Sequence, residues 1–303
     1  MNGRGPNEQT PWSRAGREAS GWRVWLGRVR ELLLIVGAGA AYALLFLPIV
    51  VIVLFSFNRP HGRFNLIWQG FTVDNWLQPL ADPALTAALL TSLAIALVAA
   101  LLACLLGGLM ALGLSRRPPP GSRWLELLLL LPLASPEIVI GTALLNLFVQ
   151  LNLERGPLTL LLAHTLICLS YVALILKARL AGFDWSLEAA AMDLGARPWG
   201  VFRRVTLPLI APAVLAGALV AFSLSLDDFI VAQFTAGQTV TLPLYLAGAI
   251  QREISPQIHV LATIVLLVSL ALLALTNGLV TPTGKPPRQN KRSAAETRNP
   301  DRT

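Results

Sequence analysis

Six apolar runs constrain this chain more than any other feature: about 32–57, 84–114, 124–150, 156–177, 207–234 and 256–280. A helix rises about 1.5 Å per residue, so about 20 apolar residues cross the hydrocarbon of a bilayer, where only a helix or a closed barrel satisfies its own backbone. All six runs read as helices, and the expected fold class is an all-α integral membrane protein with six transmembrane helices. The composition agrees, at 55% hydrophobic and 13% charged, against about a quarter charged in a soluble domain. The first run starts too far in, and is too long, to be a cleaved signal peptide.

The net charge of +8 comes from short basic clusters beside the apolar runs. No single basic face forms, so no nucleic-acid partner is expected, and the clusters serve as topology signals. Arg59, Arg63, Arg155 and Arg252 fall on one side of the membrane, and the other 20 of the 24 Lys and Arg fall on the opposite side. That second side is therefore cytoplasmic, with both termini and the loop between the fourth and fifth runs. Residues 1–20 and 282–303 are basic tails, rich in Pro, Gly, Ser, Asn and charge, and are expected to be disordered. In residues 21–31, Trp22, Trp25, Leu26 and Val29 form a stripe at helical spacing with Arg23, Arg28 and Arg30 off it, which reads as an interfacial helix in contact with membrane lipid.

Within the spans, Ser92, Ala96, Ala100, Cys104 and Gly108 recur at four-residue steps, and Ala213, Gly217 and Ala221 repeat the device. Such ridges let helix backbones approach closely in lipid, and ordinary bundle packing accounts for them. Cys104 and Cys168 lie in apolar surroundings and read as packing residues; no spacing points to a disulfide or a metal site. Pro132, Pro136, Pro208 and Pro212 are expected to kink or interrupt their helices.

Three carboxylates are placed deep: Glu137 in "SPEIVIG", and Asp227 and Asp228 in "FSLSLDDFIV". Counted from the cytoplasmic side, both sites lie roughly 20 Å in, beyond the bilayer midplane. Charge at that depth calls for a cavity or a partner. No Lys or Arg of this chain is expected at the same depth, which leaves protonation, a partner chain or a cationic cargo. A purely structural, hydrogen-bonded carboxylate is the plainer alternative.

The stretch "EAAAMDLGARPWGVFRRVTLP" from Glu188 to Pro208 is polar between two apolar runs. Over 184–205 it predicts helix, stop, helix. Asp184 or Ser186 caps the first helix, the alanine run favours it, Gly195 ends it in the left-handed region, and Pro198 opens the second. A compact hairpin too smooth for a solvated face and too polar for lipid has the character of a docking element.

The same stretch resembles the EAA loop of the inner-membrane permease subunits of binding-protein-dependent ABC importers, whose pattern is EAA, three residues, Gly, nine residues, then Ile-x-Leu-Pro. The pattern is read onto Glu188, Ala189, Ala190 and Gly195, and then Val205, Leu207 and Pro208, with Val205 where Ile is usual. "AFSLSLDDFIVAQFTAG", "SFN" at Ser56 to Asn58 and "LASPEIVIGTALL" are similar to the spermidine/putrescine permeases, the second membrane subunit of such systems. The resemblance implies a type I ABC importer permease fold over 32–281, with coupling helices at 184–205. It implies Glu188, Ala189, Ala190, Asp193, Gly195, Arg203, Leu207 and Pro208 at a separate ATPase, with Glu188 the polar contact, and Glu137, Asp227 and Asp228 along a polyamine pathway. The implied partners are a second permease subunit in a heterodimer, two ATPase subunits that carry ATP and Mg, and a periplasmic substrate-binding protein, all at a bacterial inner membrane.

Residue patterns for chemistry are missing. The sequence has no G-x-x-x-x-G-K-[ST], H-E-x-x-H or G-x-S-x-G, so no catalytic or metal role is assigned, and cofactors are expected only on the ATPase. His164 reads as a packed or hydrogen-bonded histidine. Alternatives kept open are a related permease for another organic cation, ferric iron or a phosphonate, and a secondary transporter driven by an ion gradient. The latter would show two related halves with interrupted spans, and no internal repeat is seen.

Overall fold

The computed structural model describes the backbone of residues 11–59, 64–252 and 254–280, and the side chains of 28–59, 64–251, 254–268 and 270. The described residues are helical apart from loops and two isolated bridges. Two compact units are distinguished, residues 1–83 with 249–264, and residues 84–248 with 265–303.

In the first unit, α1 (Pro11–Phe55) runs unbroken through Pro48. Residues 11–20, expected to be disordered, are helical in backbone, because a helix already nucleated by an apolar span extends at little cost through "SRAGREA". Most of the side chains behind the amphipathic reading of 21–31, all of residues 1–10 and the tail 282–303 lie outside the described residues. From Arg28 on, no residue of α1 is buried.

Beyond α1, buried amides organise the loop that leads to α2 (Asp74–Leu77). Asn58 Nδ2 donates to Asn65 Oδ1 at 2.6 Å and to the Ile67 carbonyl at 2.8 Å, while its Oδ1 accepts the Gln69 N–H at 2.8 Å. Asn75 Nδ2 donates to the carbonyls of Ser56 and Asn58, and Asn65 Nδ2 to that of Phe55. Asn65 thus satisfies an orphan carbonyl at the end of α1, and Asn75 the Ser56 and Asn58 carbonyls of the "SFN" triplet.

The second unit is built on α6 (Pro157–Leu180), half of whose apolar window is buried. It packs most extensively on α9 (Leu207–Asp227). Small residues set the approach: a Cβ added at Gly217 would stand 3.5 Å from Val172, and the Cys168 thiol reaches the Ala221 carbonyl at 3.3 Å. On α3 (Pro83–Arg116), Ser92, Ala96, Ala100 and Gly108 of the ridge are buried, and Gly107 beside it makes the tightest contact. Its added Cβ would meet the Leu169 carbonyl oxygen at 2.8 Å and the Ala173 nitrogen at 3.2 Å, so α3 and α6 touch backbone to backbone there.

Four helices among the described residues are long and apolar enough to cross a membrane, those at Arg28–Phe55, Pro83–Arg116, Pro157–Leu180 and Pro198–Asp227. Two of the expected spans are not single helices. The third, 124–150, divides into α4 (Ser122–Ala134) and α5 (Glu137–Gln150), bent by 111°. Pro136 is the cause: it removes a donor and drives Ser135 out of the helical region, to φ −89° and ψ 140°. The fifth, 207–234, ends at Asp227 and resumes as the short α10 (Ile230–Thr235). Pro132 and Pro212 lie inside unbroken helices, Pro208 is the second residue of α9 directly after a π-turn over Phe202–Thr206, and Pro136 marks a full break.

Candidate functional site

The two helix breaks come together. α10 packs on α5, and closely enough at Gly141 that a Cβ there would stand 2.6 Å from the Phe234 ring. All three carboxylates singled out from the sequence sit at these breaks: Glu137 as the first residue of α5, Asp227 as the last of α9, and Asp228 in the gap that follows. Glu137 and Asp227 are exposed, whereas the Asp228 side chain is only 12% exposed. The C-terminal end of α9, with its unpaired carbonyls, adds negative potential beside Asp227.

Asp228 is differently employed from its neighbour. Its Oδ1 accepts the Val231 N–H at 2.9 Å, which opens α10 by replacing a helix carbonyl with a side chain. Its Oδ2 lies 3.5 Å from Nε2 of His164 on α6. That is at the outer limit for a hydrogen bond, and the nitrogen has no closer partner. The other ring nitrogen shares a 2.7 Å hydrogen bond with Ser225 Oγ. His164, which a count of Lys and Arg alone passes over, therefore lies beside one of the acids. It is hydrogen-bonded, as expected, to Ser225 near the end of α9, and it also lies beside Asp228 in the break.

At the other end of the unit, α7 (Ser186–Asp193) and α8 (Pro198–Val201) form the helix, stop and helix read from 184–205. Asp184 accepts the Ser186 N–H at 3.0 Å, and its hydrogen bonds from Ser186 hold the carboxyl below its ordinary value. Gly195 has φ +84°. Its N–H meets the Met192 carbonyl and that of Ala196 the Ala191 carbonyl, the paired bonds of a Schellman stop. A π-turn over Phe202–Thr206 then leads into α9. Ala189, Ala190, Asp193, Gly195, Arg203, Leu207 and Pro208 are all exposed. Sequence reasoning missed the apolar prominence beside them: Leu194 is 90% and Trp199 70% exposed, with Trp199 stacked on Phe202.

Glu188 departs from expectation. It is buried, with Thr206 Oγ1 donating to Oε1 at 2.5 Å and Arg116 Nη2 at 2.5 Å from Oε2. Both oxygens of the carboxylate are engaged within the chain. Spacing supplies the reason. Counted back from Gly195, the glutamate of the EAA pattern falls six residues earlier, at Ala189, and Glu188 stands one residue before it. One residue is about 100° of helix, enough to exchange an outer face for an inner one.

The match to the family of binding-protein-dependent transport system inner membrane components covers residues 103–281. The chain is 39% identical over 237 residues to the spermidine/putrescine transport system permease protein PotC of Haemophilus influenzae, across 78% of this chain and 91% of the relative. It is 37% identical over 236 residues to the putrescine transport system permease protein PotI of Escherichia coli K12, across 74% and 82%. It is 39% identical over 191 residues to the molybdenum transport system permease protein ModB of Mycobacterium bovis, across 58% and 72%. Among solved structures, a bacterial ABC transporter involved in the import of the acidic polysaccharide alginate superposes with a TM-score of 0.59 at 16% identity, over 85% of this chain and 97% of that one. That likeness is one of fold alone.

Proposed function

The chain belongs to the family of binding-protein-dependent transport system inner membrane components, a family of multi-pass transport subunits and not of enzymes, and we propose that it forms one half of the membrane pathway of an ATP-driven importer for a polyamine such as putrescine or spermidine. On this reading α4 with α5 is one interrupted span, α9 with α10 another, and the helix Pro256–Val280 the sixth, with both termini cytoplasmic. A second permease subunit completes the pathway, two ATPase subunits supply ATP and Mg below it, and a periplasmic binding protein delivers cargo above.

The observation that carries the cargo assignment is that Glu137, Asp227 and Asp228 stand at two helix breaks whose following helices, α5 and α10, pack on each other. Interrupted helices expose backbone carbonyls, and with carboxylates they replace the hydration shell of an ammonium group. Relatives named for a polyamine, for molybdenum and, in fold alone, for an acidic polysaccharide indicate that the scaffold does not choose the cargo. The local charge does, and here it disfavours an anion.

The α7–α8 hairpin is the coupling element. Ala189, Ala190, Asp193, Gly195, Arg203, Leu207 and Pro208 form its surface, with Leu194 and Trp199 as its apolar anchors and Glu188 acting from inside. ATP binding closes the ATPase dimer, and the closure reaches the broken spans through this hairpin. Nucleotide biases two conformations only to the extent that it favours one of them energetically.

The test is uptake of labelled putrescine into proteoliposomes that hold the complete complex and its binding protein. Uptake is expected to require ATP inside the ATPase-facing compartment, to persist when ion gradients are collapsed, and to fail when Glu137→Gln and Asp227→Asn are combined. Gradient-driven uptake without ATP would refute the proposal, and full uptake by the double variant would remove the acids from the pathway.

A further inference from the structure

The Glu188 carboxylate is held by two donors from different elements. Arg116, the last residue of α3, takes one oxygen, and Thr206, the last residue of the π-turn before α9, takes the other. Glu188 itself stands in the first turn of α7. One buried side chain thus joins the hairpin to the ends of two spans, at the point where the backbone departs from regular α geometry. A π-turn carries one residue more than the α-turn it replaces, and such turns are rare and occur frequently at functional sites.

We propose that Glu188, Arg116 and Thr206 are positioning residues that form an internal latch. It makes a displacement of the α7–α8 hairpin move α3 and α9 together, while the docking contacts are made by the exposed residues around it. The inference rests on the coupling role given to the hairpin above. It differs in what it asks of Glu188, whose carboxylate has no free oxygen to lend an ATPase. The other ion pair at this end, Lys177 Nζ to Glu126 Oε2 at 2.6 Å, links α6 to α4 and does not touch the hairpin, so it serves as a control. Arg179 donates to the Leu209 carbonyl and bypasses the latch as well.

Without the latch, the hairpin follows the ATPase but the spans follow the hairpin less faithfully. The readout is therefore the ratio of cargo imported to ATP hydrolysed, not either rate alone. In proteoliposomes of the complete complex, Arg116→Ala and Thr206→Val are expected to lower that ratio on the order of tenfold, within the usual range of coupling energies. ATPase subunits should still co-purify in normal amounts. Thr206→Ser, which keeps the hydroxyl, and the charge exchange of Arg116→Glu with Glu188→Arg should both recover most of the loss. Lys177→Ala should leave the ratio unchanged.

The latch is overturned if Arg116→Ala and Thr206→Val import as much per ATP as the parent. It is equally overturned if residue 188, changed to Cys, cross-links to the ATPase in the intact complex. Failure of the ATPase to co-purify with the parent chain would instead overturn the coupling role itself, so the two failures are distinguishable.

Discussion

Asp227 and Asp228 are adjacent in sequence and should respond oppositely to substitution. Asp228 accepts the Val231 N–H at 2.9 Å, and loss of such a cap costs about 0.5–2 kcal/mol. Asp228→Ala also removes the acceptor nearest His164 Nε2, but at 3.5 Å that contact adds little. The expected loss is about 1–2 kcal/mol in total. Asp228→Asn retains an oxygen that caps almost as well, so its loss should stay below about 0.5 kcal/mol. Asp227 is exposed at the end of α9, and Asp227→Asn should change stability by no more than about 0.5 kcal/mol. It should act on cargo. Removing one of the charges that face an ammonium group, at about 1.4 kcal/mol for each factor of ten, raises the KM for putrescine about tenfold. Thermal unfolding of the purified complex gives the first set of values, and uptake into proteoliposomes the second. If Asp228→Ala unfolds at the parent temperature, or if Asp227→Asn destabilises the complex as much as Asp228→Ala while leaving KM alone, the division of roles is wrong.

Two further predictions concern packing and the loop after α1. A Cβ at Gly107 meets backbone atoms at 2.8 and 3.2 Å, while one at Gly113 meets nothing within 4 Å. Gly107→Ala should therefore lose about 1–3 kcal/mol by overpacking, and Gly113→Ala on the same helix should gain a few tenths to about 1 kcal/mol, read as opposite shifts in melting temperature. In the first unit, Asn58 is fully buried and uses both halves of its amide. Asn58→Asp, whose carboxylate would face the Asn65 Oδ1 and the Ile67 carbonyl, should cost more than Asn58→Ala, for which about 1–3 kcal/mol is expected per unpaired group; proteolysis of the loop after α1 under native conditions ranks them.

The apolar spans were legible because a bilayer imposes one length and one composition on every crossing helix, and the Schellman stop at Gly195 was legible because few residues adopt φ +84°. The breaks were less so. Pro132, Pro136 and Pro212 carry the same local penalty, yet only Pro136 ends a helix. At the second break no proline is involved, and the signal is an aspartate that competes for a backbone donor three residues on. The role of His164 was hidden for another reason. Only the packing of α6 on α9 brings it to Ser225 and Asp228, and no spacing within one helix encodes that contact.

Glu188 shows how closely motif and geometry must be counted together. A shift of one position leaves residue types, local helix propensity and the following glycine in place, and only the count from Glu188 to Gly195, seven positions where the pattern has six, reveals it. On a helix the same shift turns the side chain by about 100°. It exchanges a surface carboxylate for one that is buried between Arg116 and Thr206. The exposed place left behind is taken by Ala189, which has no polar group to offer. For the docking role proposed above, the exposed Leu194 and Trp199 give the hairpin apolar area, beside the exposed charges of Asp193 and Arg203. The glutamate charge lies inside, between the end of α3 and the π-turn, where the proposed latch needs it.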